Sequence, residues 1–230
     1  WVAVITDTDR RFKMSIKGPK LYPVVSVVDP DLIATLPAPM IAATGLDALT
    51  HAVEAYLSKP ATLITDTHAV KAVGLILGSI EKAFADIQSH ARQREDLMYG
   101  SMVAGLAFGN ADVTAVHCIS ESIGALYDIP HGVANAILLP HIMDFNRMAV
   151  PEKFERIAQL MGEPPEAENA VLAVKKLNRD LNIPANLTEV GVQTDAIEAM
   201  TADAMKSGNV LANPRQTGVP EIQGLFHQAM

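Results

Sequence analysis

Cysteine is almost missing: Cys118 is the only one in 230 residues, so the chain closes no internal disulfide and a reducing, cytoplasmic setting is expected. Aromatic residues are scarce at 5%, which leaves the core to alanine and aliphatic side chains. Basic charge is short as well. Eighteen Lys and Arg against 26 Asp and Glu give a net charge of -8, the wrong sign for neutralising phosphates, so nucleic acid is set aside as a partner. No uninterrupted apolar run approaches the roughly 20 residues of a membrane-spanning helix, and no membrane partner is expected. The opening "WVAVITDTDRRFK" reaches an acid at Asp7 and has neither a basic start nor a small-residue cleavage site, unlike a signal peptide. There is no G-x-G-x-x-G and no Walker sequence to cradle a phosphate; the glycines at 100, 105 and 109 fall in helical pattern, where close packing accounts for them. Internal repeats, low-complexity segments and long heptads are absent too.

What is present is a chain 49% hydrophobic, enough for a substantial core. Its first thirty residues differ from the rest. "WVAVITD", "KMSI" and "PVVSVVD" are short β-branched segments split by charged or Gly-Pro punctuation, which predicts two or three strands. From "DPDLIATL" onward apolar residues recur every three and four positions, so the fold class is mainly α. The pattern predicts helices over 38–58, 64–87, 92–108, 113–126, 132–148, 151–161, 167–181, 194–206 and 219–229, with Thr65 or Asp66 capping the second. Three strands in thirty residues cannot bury both faces of a sheet. The chain is therefore expected to be the C-terminal portion of something larger, with 1–30 the end of one domain and 31–230 an all-helical second.

The stretch "TGLDALTHAVEAY", 44–56, places Asp47 and His51 one turn apart on a single face of an apolar helix. His117 in "AVHCISESIGALY" and His131 in "YDIPHGVANAILLPH" lie in similar context, fourteen residues apart, with "YDIP" turning the chain back between them. A lone histidine on an apolar face is commonly a satisfied core residue. Against that stands the cost of an unpaired carboxylate in an apolar helix, since no Lys or Arg lies between positions 37 and 56. Three imidazoles and a carboxylate form an N3O set suited to Fe(II), Zn or another divalent transition metal, not to Mg or Ca. His68, His90 and His227 have polar or terminal surroundings and read as structural, while His141, ten residues past His131, could support a ligand from behind.

These residues, in "AATGLDALTHAVEAY", "AGLAFGNA", "GALYDIPHGVANAILLPH", "IPANLTEVG" and the "NPR" at 213–215, carry a resemblance over essentially the whole chain. It resembles the iron-containing (group III) alcohol dehydrogenases. In that family the residues matching Asp47, His51, His117 and His131 hold one divalent metal, usually iron and sometimes zinc. Members begin with an α/β nucleotide-binding domain, and the resemblance implies that residues 1–30 are its last strands, with Val4, Lys13 and Leu32 where members touch NAD(P). One departure stands out. Members commonly carry a further histidine one turn after the match to His117, where this chain has Glu121; Glu121 could serve as general base, as an extra ligand, or in tuning substrate choice.

The resemblance implies an NAD(P)-linked alcohol dehydrogenase or aldehyde reductase acting on a small-molecule alcohol or aldehyde, in which a divalent ion acidifies the alcohol and hydride passes to the nicotinamide. Leftover apolar helix surface suggests a homodimer. Rivals are glycerol dehydrogenase and dehydroquinate synthase relatives, a helical metallohydrolase, and a non-catalytic helical module with a buried polar cluster.

Overall fold

The computed structural model describes residues 2–7, 9 and 12–230, apart from the side chains of Thr6, Phe12, Lys13 and Ser15. Strands β1 (Val2–Asp7) and β2 (Phe12–Lys17) form an antiparallel hairpin with Val2 opposite Lys17 and Asp7 opposite Phe12. The third expected strand is not one. Among the described residues the sheet has two strands, and Val24, Val25 and Val27 of "PVVSVVD" lie exposed on an extended segment. β-branched composition signals a pleated surface, but a strand exists only where a neighbour completes its ladder.

Ten helices follow among the described residues: α1 (Ala38–Leu57), α2 (Leu63–Leu77), α3 (Ile80–Asp86), α4 (Ala91–Ala111), α5 (Ala115–Leu126), α6 (His131–Asn146), α7 (Pro151–Leu160), α8 (Ala167–Asp180), α9 (Ile197–Ala204) and α10 (Val219–Ala229). The mainly α reading of the sequence therefore holds. Helix α1 is apolar around most of its circumference, as a central helix must be, and it packs against α2, α3, α4 and α6. Its start is set by Pro39 in the first turn, where a missing N–H costs nothing.

The predicted helix over 64–87 is two helices. Gly78 closes α2 with its N–H on the Gly74 carbonyl, and Ser79 leaves helical geometry at φ -128° and ψ -31°. That break turns Ile80 inward against α1, where a Cβ on Gly45 would lie 2.7 Å from Ile80 Cδ1. The cap of α2 is Thr62, earlier than expected, in a reciprocal pair with Thr65. Leu63–Asp86 as a whole is long and apolar enough by composition to cross a membrane, yet Ala69, Ala72, Val73, Ile76, Ile80 and Ala83 deliver it to the helical core.

Two sets of contacts fix α6 in the bundle. Pro140 inside the helix has no N–H to offer the Ala136 carbonyl one turn back, and Asn178 of α8 supplies the missing donor, its Nδ2 lying 2.6 Å from that oxygen. At the C-terminal end, Asn146 and Asn213 exchange amide hydrogen bonds at 2.9 and 2.8 Å, both fully buried. Arg215 then donates to the Phe145 carbonyl and lies over its ring. The "NPR" text is thus a clasp holding the tail to α6.

Helices α1 and α6 touch backbone to backbone. A Cβ on Gly132 would sit 2.1 Å from the Ala43 carbonyl oxygen, a collision that no side-chain rearrangement relieves. Gly132→Ala is expected to destabilise the fold by about 1–3 kcal/mol or more, read as a lowered thermal midpoint. Gly105→Ala, on α4 where a Cβ meets nothing within 4 Å, is expected to be neutral or to stabilise by up to about 1 kcal/mol.

Candidate metal centre

Three helices converge on one point. Asp47 and His51 come from α1, His117 from the first turn of α5, and His131 from the first residue of α6. One ligand atom each from Asp47, His117 and His131 lie within 4.8 Å of one another. Asp47 Oδ1 is 3.8 Å from His117 Nε2 and 3.7 Å from His131 Nε2, close to the roughly 3.4 Å edge of a tetrahedron whose centre lies about 2.1 Å from each corner. His51 is not among those three. Its Nδ1 is 3.8 Å from the other oxygen of Asp47, and its ring is sandwiched between His117 at 4.3 Å and Phe108 of α4 at 4.4 Å.

The donor set fits a cation. The amide Nδ2 of Asn135, one turn along α6 from His131, lies 2.6 Å from Asp47 Oδ1, 3.0 Å from His131 Nε2 and 3.3 Å from His117 Nε2. One amide nitrogen thus faces an oxygen and two ring nitrogens of the ligand-bearing residues, and Asn135 Oδ1 is itself buried with no hydrogen-bond partner. A divalent ion would take up the Asp47 oxygen and the Nε2 lone pairs together. Asp47 is 24% exposed and His131 34%, so the centre opens to one side.

The deeply buried acid is another residue, which the sequence pattern did not single out. Glu54, 2% exposed, stands seven residues after Asp47 on the same face of α1. Its Oε1 accepts the Val116 N–H at 2.7 Å and the Thr114 hydroxyl at 2.6 Å, while its Oε2 takes a very short hydrogen bond from His117 Nδ1. Thr114 caps nothing itself, so a carboxylate from a different helix caps α5 and meets the positive end of its dipole. Holding the proton on Nδ1 leaves the Nε2 lone pair of His117 facing the centre. The i+7 spacing from Asp47 was the available signal, as the i+4 spacing from His131 was for Asn135.

Electrostatics follow from these contacts. Burial pushes the Asp47 carboxyl up, but His51, His117 and His131 together with the Asn135 amide hold it below the usual carboxylate value. Burial likewise opposes ionisation of Glu54, and His117 outweighs it, so this carboxylate also sits low. Burial, then the neighbouring His117, drives His51 down to about 4, which leaves it neutral and able to ligate at neutral pH. Burial pushes the Cys118 thiol well up, making it an inert core residue.

The remaining sequence candidates lie elsewhere. Glu121, one turn beyond His117, is outside the converging group and lines a cavity of about 550 Å3 with Lys17, Asp112, Ser122 and Asn209. Val4 is exposed on β1 opposite Ser15, and Leu32 is exposed on a short 3-10 turn (Pro30–Ile33). Lys13 pairs with Thr6 through β2, and its side chain is outside the described part. His141, roughly 15 Å along α6 from His131, faces a different cavity beside Lys175 and Arg179, while His68 bonds the Ile64 carbonyl of its own helix.

Residues 41–230 match the family described as Fe-containing alcohol dehydrogenase family, C-terminal. The 1,3-propanediol dehydrogenase of Citrobacter freundii is 44% identical over 233 residues, covering 98% of this chain and 60% of that protein. The NAD-dependent methanol dehydrogenase of Bacillus methanolicus is 37% identical over 236 residues, covering 100% of this chain and 62% of that protein. A crystal structure of 1,3-propanediol oxidoreductase superposes with a TM-score of 0.96 at 43% identity, over 100% of this chain and 62% of that one. The chain thus spans about 60% of the length of the curated relatives it matches.

Glu54→Gln keeps an acceptor for Val116 but turns an amide N–H toward His117 Nδ1–H. Zinc affinity, measured by competition with a chromophoric chelator, is expected to fall about 10–100-fold. The wild-type affinity carries a pH signature. Burial disfavours a charged His117, but the Glu54 carboxylate outweighs it and raises the ring above the ordinary histidine value. Below that raised value an ion binding at Nε2 must expel a proton, so affinity is expected to climb about tenfold per pH unit up to it and to level off above.

Proposed function

Since the chain belongs to the iron-containing alcohol dehydrogenase family, we propose that it forms the metal-binding part of an NAD(P)-linked alcohol dehydrogenase or aldehyde reductase acting on small alcohols and aldehydes. The observation that carries this reading is the convergence of one ligand atom each from Asp47, His117 and His131 within 4.8 Å of one another. Iron(II), or zinc in its place, supplies when bound a Lewis acid that polarises the reacting oxygen. Asp47, His117 and His131 hold it, with His51 as the fourth ligand.

The chain's own residues do the rest. Glu54 keeps the Nδ1 proton on His117, fixing the tautomer and the ring's direction. Asn135 ties the Asp47 carboxylate to α6, so that α1 and α6 present their ligands in fixed register. The Phe108 ring stacked on His51 closes the α4 side of the centre to water. Glu121, at the wall of the neighbouring cavity, would act as the general base that exchanges the hydroxyl proton with solvent. A nicotinamide cofactor, when bound, would supply the hydride acceptor; on this reading residues 1–30 belong to the portion that grips it, and Val4, Lys13 and Leu32 would contribute contacts from this side.

Two measurements test the reading. Anaerobic loading of the purified chain is expected to give one ferrous ion per chain by metal analysis, and Asp47→Ala to abolish it. A version carrying an upstream nucleotide-binding domain is expected to reduce NAD(P) with a small primary alcohol, and Asp47→Ala to lower that rate by at least about a hundredfold. Turnover by Asp47→Ala at the wild-type rate, with no metal retained, would overturn the assignment.

A further inference from the structure

Helix α4 ends and α5 leaves it at 103°, through a turn whose first residue has an unusual backbone. Asp112 sits at φ 66° and ψ 167°, a region that glycine occupies freely and other residues adopt only when their surroundings hold them there. Its N–H closes α4 on the Phe108 carbonyl at 2.7 Å, and its Oδ1 accepts the next N–H, that of Val113, at 3.0 Å. From outside the turn, Lys17 Nζ at the end of β2 lies 2.8 Å from both carboxylate oxygens of Asp112. The same ammonium is 2.8 Å from the Oδ1 of Asn209, a residue buried in a 3-10 turn (Gly208–Ala212) that Ser207 caps. Three segments far apart in the chain thus meet at one nitrogen, and one of its oxygen partners, Asp112 Oδ1, is also held by the Val113 N–H.

The turn held in this way has the candidate centre on both sides of it. Just before it, Phe108 stacks on His51; just after it, Thr114 and Val116 bond Glu54, and His117 follows. A change in the backbone at Asp112 therefore swings the first turn of α5, with His117, against α1. We propose that Lys17, Asp112 and Asn209 form a latch that keeps this left-handed turn in place and so positions His117 toward Asp47 and His131; Lys17 is a positioning residue, and the role toward a metal rests on the function proposed above. The pair is part-exposed, so its contribution to bulk stability is small. Its effect lies in which backbone geometry the turn adopts. Asp112 without Lys17 would also leave its negative charge on a cavity wall that carries Glu121 and the Asp203–Lys206 ion pair.

The test uses Lys17→Met, Asp112→Gly and the double variant, with two readouts: cobalt(II) affinity with its d–d absorption spectrum, and amide hydrogen exchange of residues 113–118 in the metal-free chain. Lys17→Met is expected to weaken cobalt binding about tenfold, to shift the d–d bands and to speed exchange across 113–118. Asp112→Gly, which adopts the turn without strain and removes the carboxylate, is expected to bind cobalt within about threefold of wild type, and the double variant to recover most of what Lys17→Met lost. A nonspecific loss of stability gives no such rescue. Unchanged affinity and exchange in Lys17→Met, or a double variant no better than the single one, overturns the latch. Faster exchange in Lys17→Met while even the wild-type chain binds no cobalt supports the latch and overturns the metal reading instead.

Discussion

The buried carboxylate of Glu54 is the constraint around which the centre is organised. An ionised acid at 2% exposure is tolerable only with its oxygens fully engaged, and the groups that engage them are the N-terminus of α5 and the inner nitrogen of His117. That requirement decides where α5 starts, which tautomer His117 takes, and how α1 and α5 lie together. Removing the carboxylate would leave a helix end uncapped and an imidazole unoriented at the same time. The side chain that touches neither solvent nor ligand thus governs the ones that do.

Helix α1 is the platform. Asp47, His51 and Glu54 descend one face at intervals of four and three residues, while the opposite side is closed by alanines and leucines of the core. Platform and ligands come close enough only because Gly132 lets α6 ride directly on the Ala43 backbone. From that contact His131 and Asn135 project toward Asp47 one turn apart. Proline enters the same helix at position 140 at no net loss, because Asn178 replaces the hydrogen bond that it removes. Close packing beside the ligands and the replacement hydrogen bond farther along both seat α6 against its neighbours.

The N-terminal segment stands apart from this economy of contacts. Strand β2 packs against α5 and Lys17 ties its end to the turn before that helix, while beyond it Val24, Val25, Val27 and Leu32 are exposed. Such a run of β-branched residues on an unpaired segment lacks the ladder and the packing that its composition is suited to. The chain covers 60% of a matching relative, and the end of the hairpin lies beside the turn that carries His117. Lys17 Nζ bonds Asp112 in that turn.

Much of this was legible without coordinates, because helices and their faces are local. The 3.6-residue period marked nine segments, all but 64–87 of which the structure follows as single helices, and an i, i+4 pair must share a face wherever the helix lies. For that reason Asp47 and His51 could be associated from spacing, His117 and His131 joined them as histidines in apolar helical context on either side of a turn, and the resemblance supported the set of four. What the sequence could not express were non-local partnerships. The break at Gly78 and Ser79 depends on Ile80 finding Gly45; the failed third strand depends on a neighbour; Glu54 and Asn135 matter through atoms on other helices. Residue order alone determined the mainly helical class and the residue types available to hold an ion. Tertiary structure decided which acid is buried, how the strained turn is held and that His51 stands beside the three converging ligands, since each depends on the distance between segments remote in sequence, and no periodicity encodes that distance.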